Sequence, residues 1–347
     1  MALSKILPAG QSQFAGARNL IINGSMTCNQ RGTQTGIRNS FGVDRFKSAG
    51  DGAQLFTYSQ STTVPSGQGF SYSAKLDVTT ADTSVAAGEY HLLVYNFEGQ
   101  DLQHLKYGTS GAESVTLQFW VRSPKTGTHI VELNHQDAAY FNSQAYTIAS
   151  ANTWQKVILT FSGYQTTAIT NDNTTGFGVA WWLMAGSTYS GGTLASNTWQ
   201  NTAANRAAGQ VNVADSTSNE FYITGVQLEI GDVATPFEHE DYTTTLTKCR
   251  RYFLRYYGND SPNYPRWFNP AYANDSYMGS NFSFPVQMRA TPSVSASVTF
   301  QNSDGLGTGD VSREGVNLYV LSTGAVTISG AYITNNSSDH VTVDAEL

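Results

Sequence analysis

The sequence predicts an all-β protein, and three observations carry that expectation. Charged residues make up only 13% of the 347-residue chain, about half the usual share, and Ser, Thr, Asn, Gln, Gly and Tyr take their place. Solvated β faces and turns tolerate those residues, whereas helix surfaces are normally built from Glu, Lys and Arg. Long runs alternate apolar and polar side chains with period two, and clusters of Gly, Pro, Ser and Asn separate them.

The elements follow in chain order. Residues 1–18 are small, polar and Gly/Gln-rich, and read as an N-terminal arm outside any core. In Ser114–Arg122, Val115, Leu117, Phe119 and Val121 share one face, while Thr116, Gln118, Trp120 and Arg122 share the other. Val157, Leu159 and Phe161 alternate in the same way between Trp154 and Gly163. Phe177, Val179, Trp181 and Leu183 oppose Gly178, Ala180, Trp182 and Met184, and a further strand is expected within Asn219–Ile230. Turn residues punctuate these runs at Ser123–Gly127, Ala185–Ser187 and Ser190–Gly192. The pattern predicts a jelly-roll or β-sandwich domain over residues 19–240. The chain exceeds the usual size of one core, so a second domain is expected over 241–347.

That second part opens on a stripe at helical spacing, Tyr242, Leu246, Cys249, Phe253 and Tyr256. The competing and favoured reading is a short helix to about Arg250, then a strand through Tyr257, because crowded Tyr and Phe suit strands. A Pro/Asn-rich loop over 258–270 follows. Short strands are then expected at Tyr277–Phe284, Ser293–Phe300, Val316–Leu321, Ala325–Ile333 and Val341–Asp344.

Net charge is −7, and the nearest approach to a basic stripe is Arg250 and Arg251 with Arg255. Nucleic acid and anionic membrane are therefore not expected partners. Cys28 and Cys249 are read as buried reduced thiols in preference to a bridge. The N-terminal residues lack a signal-peptide core and no segment is apolar enough to span a bilayer, so the expected product is a soluble chain made in a cytoplasm.

Catalytic signatures are missing from the sequence: there is no His-Glu-x-x-His, phosphate-binding loop or Gly-x-Ser-x-Gly. No catalytic residue, metal ligand or cofactor is therefore expected. His129 and His135 would lie on one strand face about 20 Å apart, too far to share a metal, and read as solvated strand ends. Glu238, Glu240 and Asp241 fit a helix N-terminus better than a glycosidase pair. Asn171–Gly176 offers oxygen ligands for calcium but lacks a terminal bidentate Glu, which favours a plain turn. Aromatic faces that can stack on sugar rings are the remaining lead. Most tryptophans are expected to fill the core. Tyr264, Trp267, Phe268 and Tyr272, in a segment that cannot be a central strand, are the better contact candidates, with Trp120 and Trp182 beside them.

Particular stretches also resemble a family of phage and prophage tail-fibre-like virion proteins. They are Asn19-Leu-Ile-Ile-Asn-Gly-Ser-Met26 with Asn29-Gln-Arg-Gly32, Asp44-Arg-Phe46, and Thr116-Leu-Gln-Phe-Trp-Val-Arg122 with Tyr146-Thr-Ile148 and Trp154. Gly225-Val-Gln-Leu-Glu-Ile-Gly231 through Ala234-Thr-Pro-Phe-Glu238 matches best. Cys249-Arg-Arg-Tyr252 follows, where the family more often has Gln at the second position, and Val343–Leu347 ends the match. The resemblance implies a jelly-roll, carbohydrate-binding-module-like domain on a virion component facing glycans, and these motifs look structural. On this basis the expected protein is a tail-fibre or receptor-binding component on the virion surface. It is read as a homotrimer contacting host-surface saccharide and docking to other virion proteins through the arm. The alternatives are a capsid decoration or head-fibre protein and, less favoured, a glycan depolymerase.

Overall fold

The computed structural model describes residues 18–257, 273–274, 277–297, 305–321 and 340–347. Tyr264, Trp267, Phe268 and Tyr272 lie outside the described residues, as do all of the expected arm but Arg18 and the strand expected at 325–333. The chain divides into two compact units, residues 1–245 with Leu347 and residues 246–346.

The first unit is a β-sandwich of two six-stranded antiparallel sheets. Its strands are β1 Gln34–Ile37, β2 Ser40–Phe41, β3 Phe46–Asp51, β4 Leu55–Ser61, β5 Ser73–Thr80 and β6 Tyr90–Glu98. They continue with β7 Val115–Arg122, β8 Gly127–His135, β9 Tyr140–Ile148, β10 Gln155–Phe161, β11 Thr175–Ala185 and β12 Glu220–Ile230. One sheet runs β1-β4-β5-β12-β7-β10 and the other β2-β3-β6-β11-β8-β9. The faces expected from period two are the faces observed. Val115, Leu117, Phe119 and Val121 of β7 meet Leu93, Tyr95 and Phe97 of β6 and Phe177, Val179, Trp181 and Leu183 of β11 in one buried core.

Along β12 the parity changes. Phe221 and Ile223 face the core, then Val226 and Leu228 do, and the β7 ladder shifts register between Thr224 and Gln227. Gly225 makes this β-bulge with φ of 61°. A Cβ there would stand 2.6 Å from the Phe70 ring and 3.1 Å from Trp120. Gly225→Ala combines left-handed strain with overpacking and should cost about 2–4 kcal/mol. Denaturant unfolding should show this as a lower midpoint with an unchanged slope.

His129 and His135 correct a sequence expectation, because both are buried. The parity that carries Val131 and Leu133 into the core takes the two histidines with them. Each ring then finds a carbonyl, with Nε2 of His129 3.0 Å from the Lys125 oxygen and Nε2 of His135 3.0 Å from that of Thr167. Aromatic neighbours complete the packing: His129 stacks on Tyr146 at 5.5 Å, and His135 meets Tyr164 edge-on at 5.2 Å. Cys28 and Cys249 are buried thiols.

The outer face of the second sheet carries its own apolar layer. Leu92, Ile130, Ala180 and Trp182 pack beneath Tyr189, Leu194 and Ala207, which belong to the stretch between β11 and β12. That stretch includes the one-turn helix α1, Ser187–Ser190, and is tied down by Ala207 N–H donating to the Tyr189 carbonyl and Val211 N–H to that of Thr128.

The second unit begins within helix α2, Tyr242–Arg250, whose start is capped by Asp241 accepting from Thr244 N–H at 3.0 Å. A strand follows, as the favoured sequence reading has it: β13 is Phe253–Tyr257. The remaining strands are β14 Ala273–Asn274, β15 Tyr277–Ser283, β16 Ser293–Ser297, β17 Gly305–Gly309, β18 Gly315–Leu321 and β19 His340–Asp344. They form the sheets β13-β19-β16 and β14-β15-β18-β17 over a small core of Leu254, Phe284, Met288, Val316, Leu318, Val341 and Val343.

Candidate functional site

The outer face of the β1-β4-β5-β12-β7-β10 sheet divides into a closed end and an open end. At the closed end the motifs singled out in the sequence converge. Leu20 N–H donates to the Leu228 carbonyl and Val226 N–H to that of Gly24, so the 19–24 segment lies alongside β12. Residues 231–238 then return across the face. Glu229 accepts from Thr235 N–H at 2.8 Å and from its hydroxyl at 2.6 Å, and Gln118 donates to the Thr235 carbonyl at 2.7 Å. Glu238 N–H donates to Gln227 at 2.8 Å, and the Glu238 carboxylate accepts from Asn19 N–H at 2.7 Å. Gln118, Gln227 and Glu229 are buried as a result. Glu238 is therefore a structural tie, and Asp241 a helix cap.

Asp44 and Arg45 are structural too. Asp44 accepts from Gln30 N–H and its side-chain amide at 3.0 and 2.7 Å. Arg45 donates to the Asn96 carbonyl at 2.7 Å with its guanidinium 5.2 Å from the Tyr95 ring. Asp172, in the stretch weighed for calcium, accepts from the Thr174 N–H and hydroxyl at 2.9 and 2.7 Å, as a turn does. Among the described residues no group of three or more His, Cys, Asp or Glu is placed to hold a metal ion.

The open end is built on the row where β10, β7, β12 and β5 run side by side. Lys156 stands directly across from Trp120, Trp120 across from Thr224, Arg122 across from Tyr222, and Tyr222 across from Lys75. Residues opposite one another share a face, with Cβ atoms about 5 Å apart. Trp120 and Trp154 are partly exposed. Trp154 lies edge-on to Tyr222 at 6.2 Å. Beside Trp120, across the Gly225 bulge, the rings of Phe70, Phe237 and His239 pack together at 4.9–5.3 Å.

Fixed charges border these rings. Lys75 Nζ is 2.6 Å from a Glu220 oxygen and 3.5 Å from Asp77, and the Tyr222 hydroxyl donates to Glu220 at 2.8 Å. The Arg122 guanidinium lies 4.8 Å from the Tyr222 ring centre while its Nε donates to the Asn152 carbonyl at 2.9 Å. Partial burial alone would raise the Glu220 carboxyl, but hydrogen bonds from Lys75 and Tyr222 outweigh it and hold the group below the usual carboxylate range. Burial and then the adjacent Glu220 push the Tyr222 phenol up. Glu220 thus stays ionised and Tyr222 protonated at neutral pH. A proton-donating carboxylic acid needs the opposite shift. What the arrangement offers is a set of pre-oriented hydrogen-bonding groups beside partly exposed indoles.

Of the sequence candidates among the described residues, Trp120 lies at this open end. Trp182 lies on the other sheet and is only 1% exposed, covered by Tyr189 at 5.4 Å and by the Arg206 guanidinium at 5.2 Å. Its ring has no open face for a ligand. Sequence reasoning passed over Lys75, Glu220, Tyr222 and Trp154. The available signal was the i, i+2 spacing of Lys75 with Asp77 and of Glu220 with Tyr222, which puts each pair on one strand face.

No protein-family model and no curated protein matches the sequence. Solved structures similar to the chain include the enzymatically active domain of tailspike protein 4 of bacteriophage CBA120, at 14% identity and a TM-score of 0.32 over 61% of this chain and 21% of that one. The match thus spans about a fifth of the tailspike chain. A family 11 carbohydrate-binding module of a Clostridium thermocellum cellulosomal cellulase has 10% identity and a TM-score of 0.29 over 60% of this chain and 98% of the module. A family 61 module in complex with β-1,4-galactotriose has 12% identity and a TM-score of 0.29 over 62% and 99%. TM-scores this low carry no statement about function.

Proposed function

We propose that the chain is a bacteriophage virion structural protein, a tail-fibre or receptor-binding component that contacts host-surface glycan through the open end of this sheet. It is a binding protein without catalytic chemistry, displayed on the virion surface as a homotrimer. The observation that carries the glycan reading is the partly exposed Trp120 indole, with Lys156 and Arg122 on the same face. The C–H face of a pyranose stacks on an indole, and its hydroxyls need donors and acceptors already held in place. The virion assignment is supported by the motif resemblance, which starts at about Asn19 and reaches the last residues, loosely through 258–335.

The test is binding of the purified chain and its Trp120→Ala variant to a panel of bacterial surface oligosaccharides. An aromatic anchor of this kind is worth about 2 kcal/mol, so the variant should bind its best ligand roughly 30-fold more weakly. Its unfolding should remain a single cooperative transition, which shows that the variant is folded under the binding conditions. Equal binding by the two proteins would refute the assigned site. Release of reducing ends from any bound polysaccharide would instead establish the depolymerase reading.

A further inference from the structure

We infer that the saccharide bound at this surface is anionic, with its charged group beside Lys156; the inference rests on the glycan-binding reading above. Three cations stand on the open end, Lys75, Arg122 and Lys156, against two carboxylates, Asp77 and Glu220. The carboxylates are already engaged, since Lys75 lies 2.6 Å from Glu220 and 3.5 Å from Asp77, and Arg122 lies 3.9 Å from Glu220. Lys156 is exposed, and among the described residues no carboxylate pairs with it. It projects from the strand position directly across from Trp120, on the same face.

A pyranose stacked on the Trp120 indole presents its ring substituents at the rim, within reach of a lysine side chain rooted about 5 Å away. A neutral sugar would partly desolvate the ammonium and return a hydrogen bond charged on the lysine side alone. A carboxylate or sulfate returns a hydrogen bond with charge on both partners, and adds their direct Coulomb attraction. The chain as a whole carries −7, which disfavours anions at long range. With a screening length of about 8 Å at physiological salt, the local excess of positive charge governs a ligand already in contact. Lysine is a compact point charge that accepts either anion.

The experiment uses the full chain and a panel in which each uronate oligosaccharide is paired with its carboxyl-reduced neutral form. Sulfated and neutral galacto-, gluco- and xylo-oligosaccharides complete the panel. The expected result is at least about tenfold tighter binding of the anionic member of a pair, weakening as salt rises. Lys156→Gln should abolish that preference, bringing the two members of each pair to equal affinity. Preference for uronates over sulfated sugars, or the reverse, identifies the anion. Equal affinity within every pair, unchanged in Lys156→Gln, would overturn the inference while leaving the glycan reading standing. Absence of binding to every panel member would overturn both.

Discussion

Acidification from pH 7 to pH 4.5 is expected to cost the β-sandwich on the order of 5 kcal/mol of stability, through histidines that cannot charge where they sit. Burial lowers His91 to about 3 and His129 to about 4, from an ordinary value near 6.5. The hydrogen bonds agree with neutral rings. The Gln54 amide nitrogen lies 3.1 Å from His91 Nδ1, which must therefore accept. Nε2–H then donates to Ser48 Oγ at 2.8 Å, and Ser48 donates onward to the Arg38 carbonyl. Protonating Nδ1 would set one N–H against another. In the unfolded chain both rings take up protons below about pH 6.5, while the folded chain resists until about pH 3–4, so the unfolded state gains as pH falls. The contribution is fully present above pH 6.5. It is lost at about 1.4 kcal/mol per histidine per pH unit through the window down to 4.5, and below about pH 5 carboxylates held low in the fold, such as Glu220, begin to add to the loss. Urea unfolding at pH 7, 6, 5 and 4.5 measures the slope. His129→Gln, whose amide can still donate to the Lys125 carbonyl, should remove about half of it. A flat profile from pH 7 to 5 would refute the prediction.

Arg206→Met is expected to destabilise the first unit by about 3–5 kcal/mol. The Glu132 side chain is completely buried on the outer face of the second sheet, and Arg206 engages it bidentately at 2.6 and 2.9 Å. The Ser143 hydroxyl supplies a further contact to Glu132 at 3.2 Å. The guanidinium also lies 4.8 Å from the Phe141 ring centre and 5.2 Å from that of Trp182. Removing the arginine leaves a carboxylate in an apolar layer with one hydroxyl for company, and an uncompensated buried charge is far costlier than a missing pair. The double variant Glu132→Gln with Arg206→Met should therefore recover most of the loss. Thermal and urea unfolding of the single and double variants decide the matter. A single variant within about 1 kcal/mol of the parent, or a double variant no better than the single, would contradict the expected role of the pair.

These two sites show where sequence reading stopped. Period two correctly assigned the inward faces of β7 and β11, because one slip in parity would have put Phe119 or Trp181 in water. The same rule placed Trp120 and Trp182 on outward faces, where the structure has them. It could not say what lies over an outward face. The stretch after β11 folds back over Trp182, while the face at Trp120 stays open, and that difference comes from contacts remote in sequence such as Val211 with Thr128. Burial of His129 and His135 was missed for a related reason. A polar type suggested solvent, and the carbonyls that accept their N–H groups become neighbours only after folding. The Gly225–Gly231 motif was recognised as structural from resemblance. Its physical content, a bulge and a pair of buried side chains tied to Thr235 and Glu238, needed coordinates.

If saccharide meets this protein at the open end around Trp120, as proposed, an indole ¹H–¹⁵N NMR titration with the tightest-binding panel oligosaccharide will report it residue by residue. The Trp120 and Trp154 signals should move with ligand, while those of buried Trp181 and Trp182 stay fixed. Ligand-dependent shifts confined to Trp181 and Trp182, with Trp120 silent, would rule out the open end as the binding site.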